Sequence, residues 1–337
     1  MGGVLGGGLV RPGEPSVRLE GASAMQIVGF RPELTEAVLA AWRRSLTFSE
    51  IDEARFRRSF VDDPHVPEGG VVVALGRDGT VLGFAGCACP RRSADGAEAG
   101  GWAWRRVYLK AFFAEDGEQE AASATALLGA VDAVAEASGL GAVRLCQYML
   151  GPAPFPGLDL RYQRLQGLLM RHRYRDVMTI EDVGVALTGP LLPRQFERAR
   201  ERAGSEVHVV TWTPELLPAM RRFVAAGEAP HFFREGWEQG YREADEQTLV
   251  VIRGEVIVGW ARYRPDCPAA DFGPTLVLPQ ERGRGYGALL LWECADRARA
   301  VGAERVEARW ANTGFYIRQG WQIIRRYAVL EKDLRPE

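Results

Sequence analysis

The stretch Leu276–Ala303, LVLPQERGRGYGALLLWECADRARAVGA, places three glycines and two arginines in six residues, between an apolar strand pattern and an apolar helix pattern. Glycines let a turn present its backbone N–H groups at the start of a helix, and the arginines add positive charge. Both features favour a bound phosphate.

Three kinds of phosphate loop compete for this turn. The nucleotide-triphosphate loop G-x-x-x-x-G-K-[ST] fails because no lysine is present. The dinucleotide fingerprint G-x-G-x-x-A fits Gly283-Arg284-Gly285-Tyr286-Gly287-Ala288, with Glu304 or Glu307 about 20 residues later. That fingerprint normally opens a nucleotide-binding unit, whereas here a hairpin pattern precedes it and about 50 residues follow.

The third reading covers more of the chain. Val277, Pro279, Arg282, Gly285 and Gly287 fall on V-x-P-x-x-[QR]-x-x-G-x-[GA], and the stretch resembles the pyrophosphate loop of the GNAT superfamily of acyl-CoA N-acyltransferases. The resemblance implies an acyl-CoA co-substrate, acetyl-CoA first among them, and no metal. It places the donor against Leu276, Val277, Leu278, Arg282, Gly283, Arg284, Gly285, Tyr286, Gly287 and Ala288. Glycines at 285 and 287 let the backbone approach a pyrophosphate closely, and the positive end of the helix dipole faces it.

The segment Asn312–Trp321, NTGFYIRQGW, resembles the family's N-x-x-[AG]-x-x-[FL]-Y-x-x-x-G-[FW]. The match implies that Tyr316 protonates the leaving thiolate, a role that suits a phenol still protonated at neutral pH. Asn312 stands closer to Tyr316 than the pattern requires, so the family's asparagine contact is not carried over.

Many members of the family carry a glutamate base on the strand before the loop. Here PAADFGPTLVLP holds one carboxylate, Asp271, which by alternation shares a face with Gly273, Thr275 and Val277. Asp271 is the expected base, with Glu307, Glu235 and Glu238 in reserve. An acceptor of low amine pKa needs no strong base. Cys267 and Cys294 lack a histidine in any readable motif and are not expected to be nucleophiles. The acceptor is expected against Gly227–Glu243, where Phe232, Phe233, Trp237 and Tyr241 with Glu228, Glu235 or Glu238 suit a cationic, partly apolar amine.

The chain also repeats itself. IVGFRPEL (Ile27–Leu34) is similar to VVTWTPEL (Val209–Leu216), VLGFAGCACP (Val81–Pro90) to IVGWARYRP (Ile257–Pro265), and SGLGAVRL (Ser138–Leu145) to VGAERVEA (Val301–Ala308). The order is kept, as in a duplicated unit. The expected layout is a tail over 1–24, a first unit over 25–187, a polar connector over 188–204 and a catalytic unit over 205–337. Each unit reads as a strand, two helices, a hairpin, a strand, a long helix, a strand, a short helix and a last strand. The expected fold class is α/β, layered, with two GNAT-like units, each a mixed and mostly antiparallel sheet flanked by helices.

The first unit reads as a faded copy. Gln119, Ala122 and Ala124 stand where the second unit has Arg282, Gly285 and Gly287, and Leu169 stands for Tyr316. Alanine methyls would crowd a pyrophosphate, and Glu115, Asp116, Glu118 and Glu120 would repel it. This half is expected to support the other or to help bind the acceptor.

Composition sets the remaining bounds. The net charge of −2 gives no sign of a nucleic-acid or anionic-membrane partner. All but Lys110 and Lys332 of the 42 basic residues are arginine. Five cysteines without C-x-x-C spacing and four scattered histidines suggest neither a disulfide framework nor a zinc site. No apolar run reaches the ~18 residues of a membrane span. The expected protein is cytoplasmic, a monomer or homodimer, acting on a small-molecule amine; Met25 reads as well as Met1 for its start.

Overall fold

The computed structural model describes residues 17–18, 25–90, 105–148, 150–188, 191–227, 247–265 and 268–335. The expected acceptor segment beyond Gly227, with its aromatics and Glu228, Glu235 and Glu238, lies outside the described residues, as do Cys267 and most of the tail. The chain divides into two compact units. One runs to Ile180 and takes up the chain again from Tyr327; the other is Glu181–Arg326.

Unit 1 contains β1 (Val17–Arg18), β2 (Gln26–Gly29), α1 (Thr35–Ser45), α2 (Glu53–Phe60), β3 (Val71–Leu75), β4 (Val81–Ala88), β5 (Val107–Ala114), α3 (Glu120–Ala137), β6 (Ala142–Leu145), β7 (Leu158–Asp159) and α4 (Gln163–Arg171). The first part of β8 (Arg175–Ala186) and the last part of β14 (Gln322–Asp333) also belong to it. Local chemistry accounts for the boundaries. Pro32 opens a 3-10 turn into α1, where its fixed φ costs nothing. Asp52 caps α2 by accepting the Arg55 N–H at 2.6 Å. Gly79, at φ +82, turns β3 into β4. The sheet runs β1-β2-β3-β4-β5-β6-β14, antiparallel except where β5 meets β6. Its core centres on Trp42, ringed by Phe56, Phe60, Phe84 and Phe113.

Unit 2 contains the rest of β8, then α5 (Leu191–Ala203), β9 (Val207–Thr211), α6 (Leu217–Ala226), β10 (Gln247–Arg253), β11 (Val256–Arg264), β12 (Ala269–Val277), α7 (Tyr286–Ala300), β13 (Arg305–Ala308), α8 (Thr313–Ile317) and the start of β14. Its sheet runs β8-β13-β12-β11-β10-β9, mixed and mostly antiparallel, with β12 and β13 parallel. Helices flank both sheets, as the sequence leads one to expect.

Two features differ from the sequence reading. The segment read as a connector leading into a charged helix does form a helix, α5, but this helix packs along α7 within unit 2, with Ala199 buried and Phe196 against the same core. The signal lies in α7. Leu289, Leu290, Leu291 and Trp292 are consecutive and all buried, which one sheet face alone cannot achieve for a helix. In addition, each compact unit is completed by a strand from the other half of the sequence. Val183–Ala186 pair with β13 in unit 2, and Leu330–Asp333 pair with β6 in unit 1.

Among the described residues the cysteines Cys87, Cys89, Cys146 and Cys294 are buried and form no disulfide. Among the described residues no group of side chains is arranged to hold a metal, and no helix is long and apolar enough to cross a membrane.

Candidate active site

The site is built where β12 parts from its neighbours. Against β11 the register shifts, so that Gly273 and Pro274 together stand opposite Arg262, as in a β-bulge. Against β13, β12 pairs only through Ala269–Asp271 with Arg305–Glu307. From Phe272 to Val277, among the described residues, β12 is therefore paired on its β11 side alone. The two parallel strands open a notch at their C-terminal ends, with backbone groups of β12 on its wall.

The glycine loop closes one end of the notch. The Leu278 N–H donates to Val258 O at 3.0 Å, and Pro279–Glu281 make a 3-10 turn. Gly283 and Gly285 then take φ of +82 and +92, left-handed values that glycine adopts without strain. Gly285 is the N-cap of α7, and its carbonyl accepts from Leu289 N–H at 2.9 Å. The first-turn N–H groups of α7 have no acceptor within the helix and lie at the positive end of its dipole. A Cβ on Gly287 would lie 3.3 Å from the Phe315 ring, so its glycine is set by close packing as well as by any ligand.

The predicted donor contacts divide into two groups. The side chains of Leu276 and Leu278 are buried with Met220, Phe223 and Trp260, and that of Tyr286 is buried with the α7 core. These three offer a ligand only their backbone. Val277 and Ala288 are partly buried. Arg282 reaches back to Val277 O at 3.3 Å. Arg284 is paired at 3.2 Å with Glu281, whose buried carboxylate also takes Arg253 at 2.6 Å. The loop's charge is thus smaller than its sequence suggests.

Tyr316 lies in α8, packed among the rings of Phe272, Phe315 and Trp321. Phe272 belongs to β12, so the phenol is anchored beside the strand that opens. Burial pushes its pKa above the ordinary phenol range, with a smaller contribution from Cys294, and it keeps its proton at neutral pH. Asp271 is held by Arg309, whose Nε donates to Oδ1 at 3.1 Å and whose Nη2 contacts Oδ2. Glu307, its parallel neighbour, takes Arg305 at 2.7 Å. Both carboxylates are engaged by arginines.

At the corresponding places in unit 1, Ala122, which stands for Gly285, is exposed. Ala124 and Leu169 are buried. Glu115, Asp116, Glu118 and Glu120 line a small pocket with Leu82 and Ser123. Two of these acids are paired, Glu115 with Arg44 at 2.6 Å and Glu120 with Arg164. Sequence reasoning missed a buried polar cluster here. Lys110 is the extra residue where β5 slips against β4. It is fully buried, with its Nζ 2.7 Å from Asp63 Oδ2 and in contact with Ser59 O. The Tyr148 hydroxyl and His65 N–H donate to the same carboxylate, at 2.8 and 2.9 Å. Burial lowers the Lys110 pKa, and the hydrogen bond it donates to Asp63 opposes that. A lone lysine in VYLKAFFA is the one available signal, since a charge in a strand buried on both faces needs a partner.

Residues 211–321 match the model of the acetyltransferase (GNAT) family. The matched residues lie within unit 2. Three solved structures with the same overall fold cover 93% of the chain. They are a GCN5-related N-acetyltransferase from Sphaerobacter thermophilus (16% identity, TM-score 0.66, 96% of that chain covered), a tandem GNAT protein from the clavulanic acid biosynthesis pathway (14%, 0.62, 99%), and a GCN5-related glucosamine N-acetyltransferase region in a fungal multi-domain GH3 β-N-acetylglucosaminidase (14%, 0.71). The chain spans 38% of the length of the fungal protein. No curated protein matches the sequence. At these identities the likeness is one of fold, and family and fold together support acyl transfer in general.

Proposed function

We propose that the protein is an N-acyltransferase that passes an acetyl or other short acyl group from acyl-CoA to the amine of a small cytoplasmic molecule, in a ternary complex. The observation that carries this reading is the left-handed glycine loop at the start of α7, set beside a strand that opens from its parallel neighbour. The loop N–H groups would hold the donor's pyrophosphate, and the unpaired edge of β12 would receive its arm and polarise the thioester carbonyl. Attack by the neutral amine forms the C–N bond and breaks the C–S bond. Tyr316 gives its proton to the departing thiolate, and the proton that the amine nitrogen sheds as the amide forms passes to water, from which the phenolate is reprotonated. With Asp271 engaged by Arg309, an acceptor that reaches the site already neutral fits the geometry better than one needing a strong enzymic base.

A second reading has an observation in its favour. A module that binds acyl-CoA without turnover needs no base, and both carboxylates nearest the notch are committed to arginines. Release of free thiol from acetyl-CoA, measured over a panel of amines, separates the two. Amine-dependent release supports the enzyme; CoA binding without release with any amine would favour the module.

A further inference from the structure

We infer that Arg202, on the helix before the GNAT domain, is a positioning residue of the donor loop. The inference rests on the acyl-CoA reading above. The Arg202 guanidinium donates to Gly283 O at 3.0 Å. Its aliphatic stem lies along Gly285, such that a Cβ there would be 3.0 Å from Cγ and 3.2 Å from Cδ. One side chain thus touches both left-handed residues of the turn. A turn built on two such glycines has many accessible conformations when unbraced, and fixing it in advance removes an ordering cost from binding.

The charge around the turn points the same way. Arg284 and Arg253 share the buried Glu281, so their charge is largely cancelled at the loop. Arg202 has no carboxylate in ion-pair contact among the described residues and is exposed. It therefore holds the turn without bringing a negative group to it, which suits a loop that must receive phosphate. The helix that delivers it is itself fixed by Phe196 and Ala199 against α7. The α5 segment lies upstream of the residues that match the family. On this account it is part of the donor site and not a tether.

The test is calorimetric titration with CoA on the full chain, for the wild type and Arg202→Ala, Arg202→Met and Arg202→Lys, each with its melting temperature. Loss of one such hydrogen bond to a turn is expected to weaken CoA about three- to tenfold in Arg202→Ala. Arg202→Met, which keeps the stem, should fall between Ala and wild type, and Arg202→Lys, which keeps a donor, should recover most of the affinity. Where turnover is measurable, the KM for acetyl-CoA should rise while kcat and the acceptor KM hold. Wild-type CoA affinity in Arg202→Ala would overturn the inference, as would a loss that Arg202→Lys does not repair. A wild-type protein that binds no CoA would overturn instead the acyl-CoA reading beneath it.

Discussion

Arg309 binds Asp271 through two nitrogens, and the two residues lie 38 positions apart in the chain. This pairing changes the expected role of the carboxylate. By strand alternation Asp271 stands where a base would serve, but both of its oxygens are engaged. Asp271→Asn should therefore lower turnover by less than about tenfold, against the 100-fold or more expected on removing a catalytic base. Steady-state rates at saturating acetyl-CoA decide it.

Tyr316 is expected to act as the proton donor. Tyr316→Phe should reduce kcat about 100-fold while CoA affinity, measured by calorimetry, stays within a factor of two or so. The pH profile carries a second check. Burial raises the pKa of this phenol, and the acid is active in its protonated form, so activity dependent on it persists as pH rises and fades only above the ordinary tyrosine range. The rate should climb with pH as the acceptor amine loses its proton, with no falling limb before about pH 10. A falling limb near neutral pH would contradict the assignment.

The exchange of strands makes a prediction about fragments. Residues 205–337 correspond to the second sequence repeat but lack Val183–Ala186, which pair with β13, and all of α5. Residues 181–326 contain both and match the compact unit. Expressed alone, 181–326 should be soluble and show a cooperative melt, and 205–337 should aggregate, since its exposed strand edge and the bare face of α7 invite association. Size-exclusion chromatography and circular dichroism compare them.

In unit 1 the Lys110–Asp63 pair should matter for stability and not for donor binding. Lys110→Met leaves Asp63 buried without its cation and should cost about 3–5 kcal/mol in chemical denaturation. CoA affinity should be unchanged in the protein that remains folded.

The parts of this fold that could be read from sequence are those fixed by neighbours in the chain. The Gly283–Gly287 turn, the prolines at 32 and 214 and the hairpin glycines at 79 and 254 act within a few residues, and the structure places them at the expected turns. The parts that escaped depend on distant partners. Period-2 alternation marks Val183–Ala186 and Leu330–Asp333 as strands but does not say which edge they join. The polar face of α5 hid the few residues that pack on α7. The arginines that engage Asp271 and Glu281 are too far away in sequence, or too numerous in an arginine-rich chain, to be paired by inspection.

The central claim is that one donor site exists, on the loop of unit 2. It is tested most directly by titrating the full chain with CoA, alongside Gly285→Glu. A side chain at φ +92, against Arg202, strains the turn by about 1–2 kcal/mol and puts a negative charge at the phosphate position, so the variant should stay folded with a slightly lower melting temperature. The account predicts one CoA per chain for the wild type and none for Gly285→Glu. No binding to the wild type, two CoA per chain, or unchanged affinity in the folded variant would contradict it.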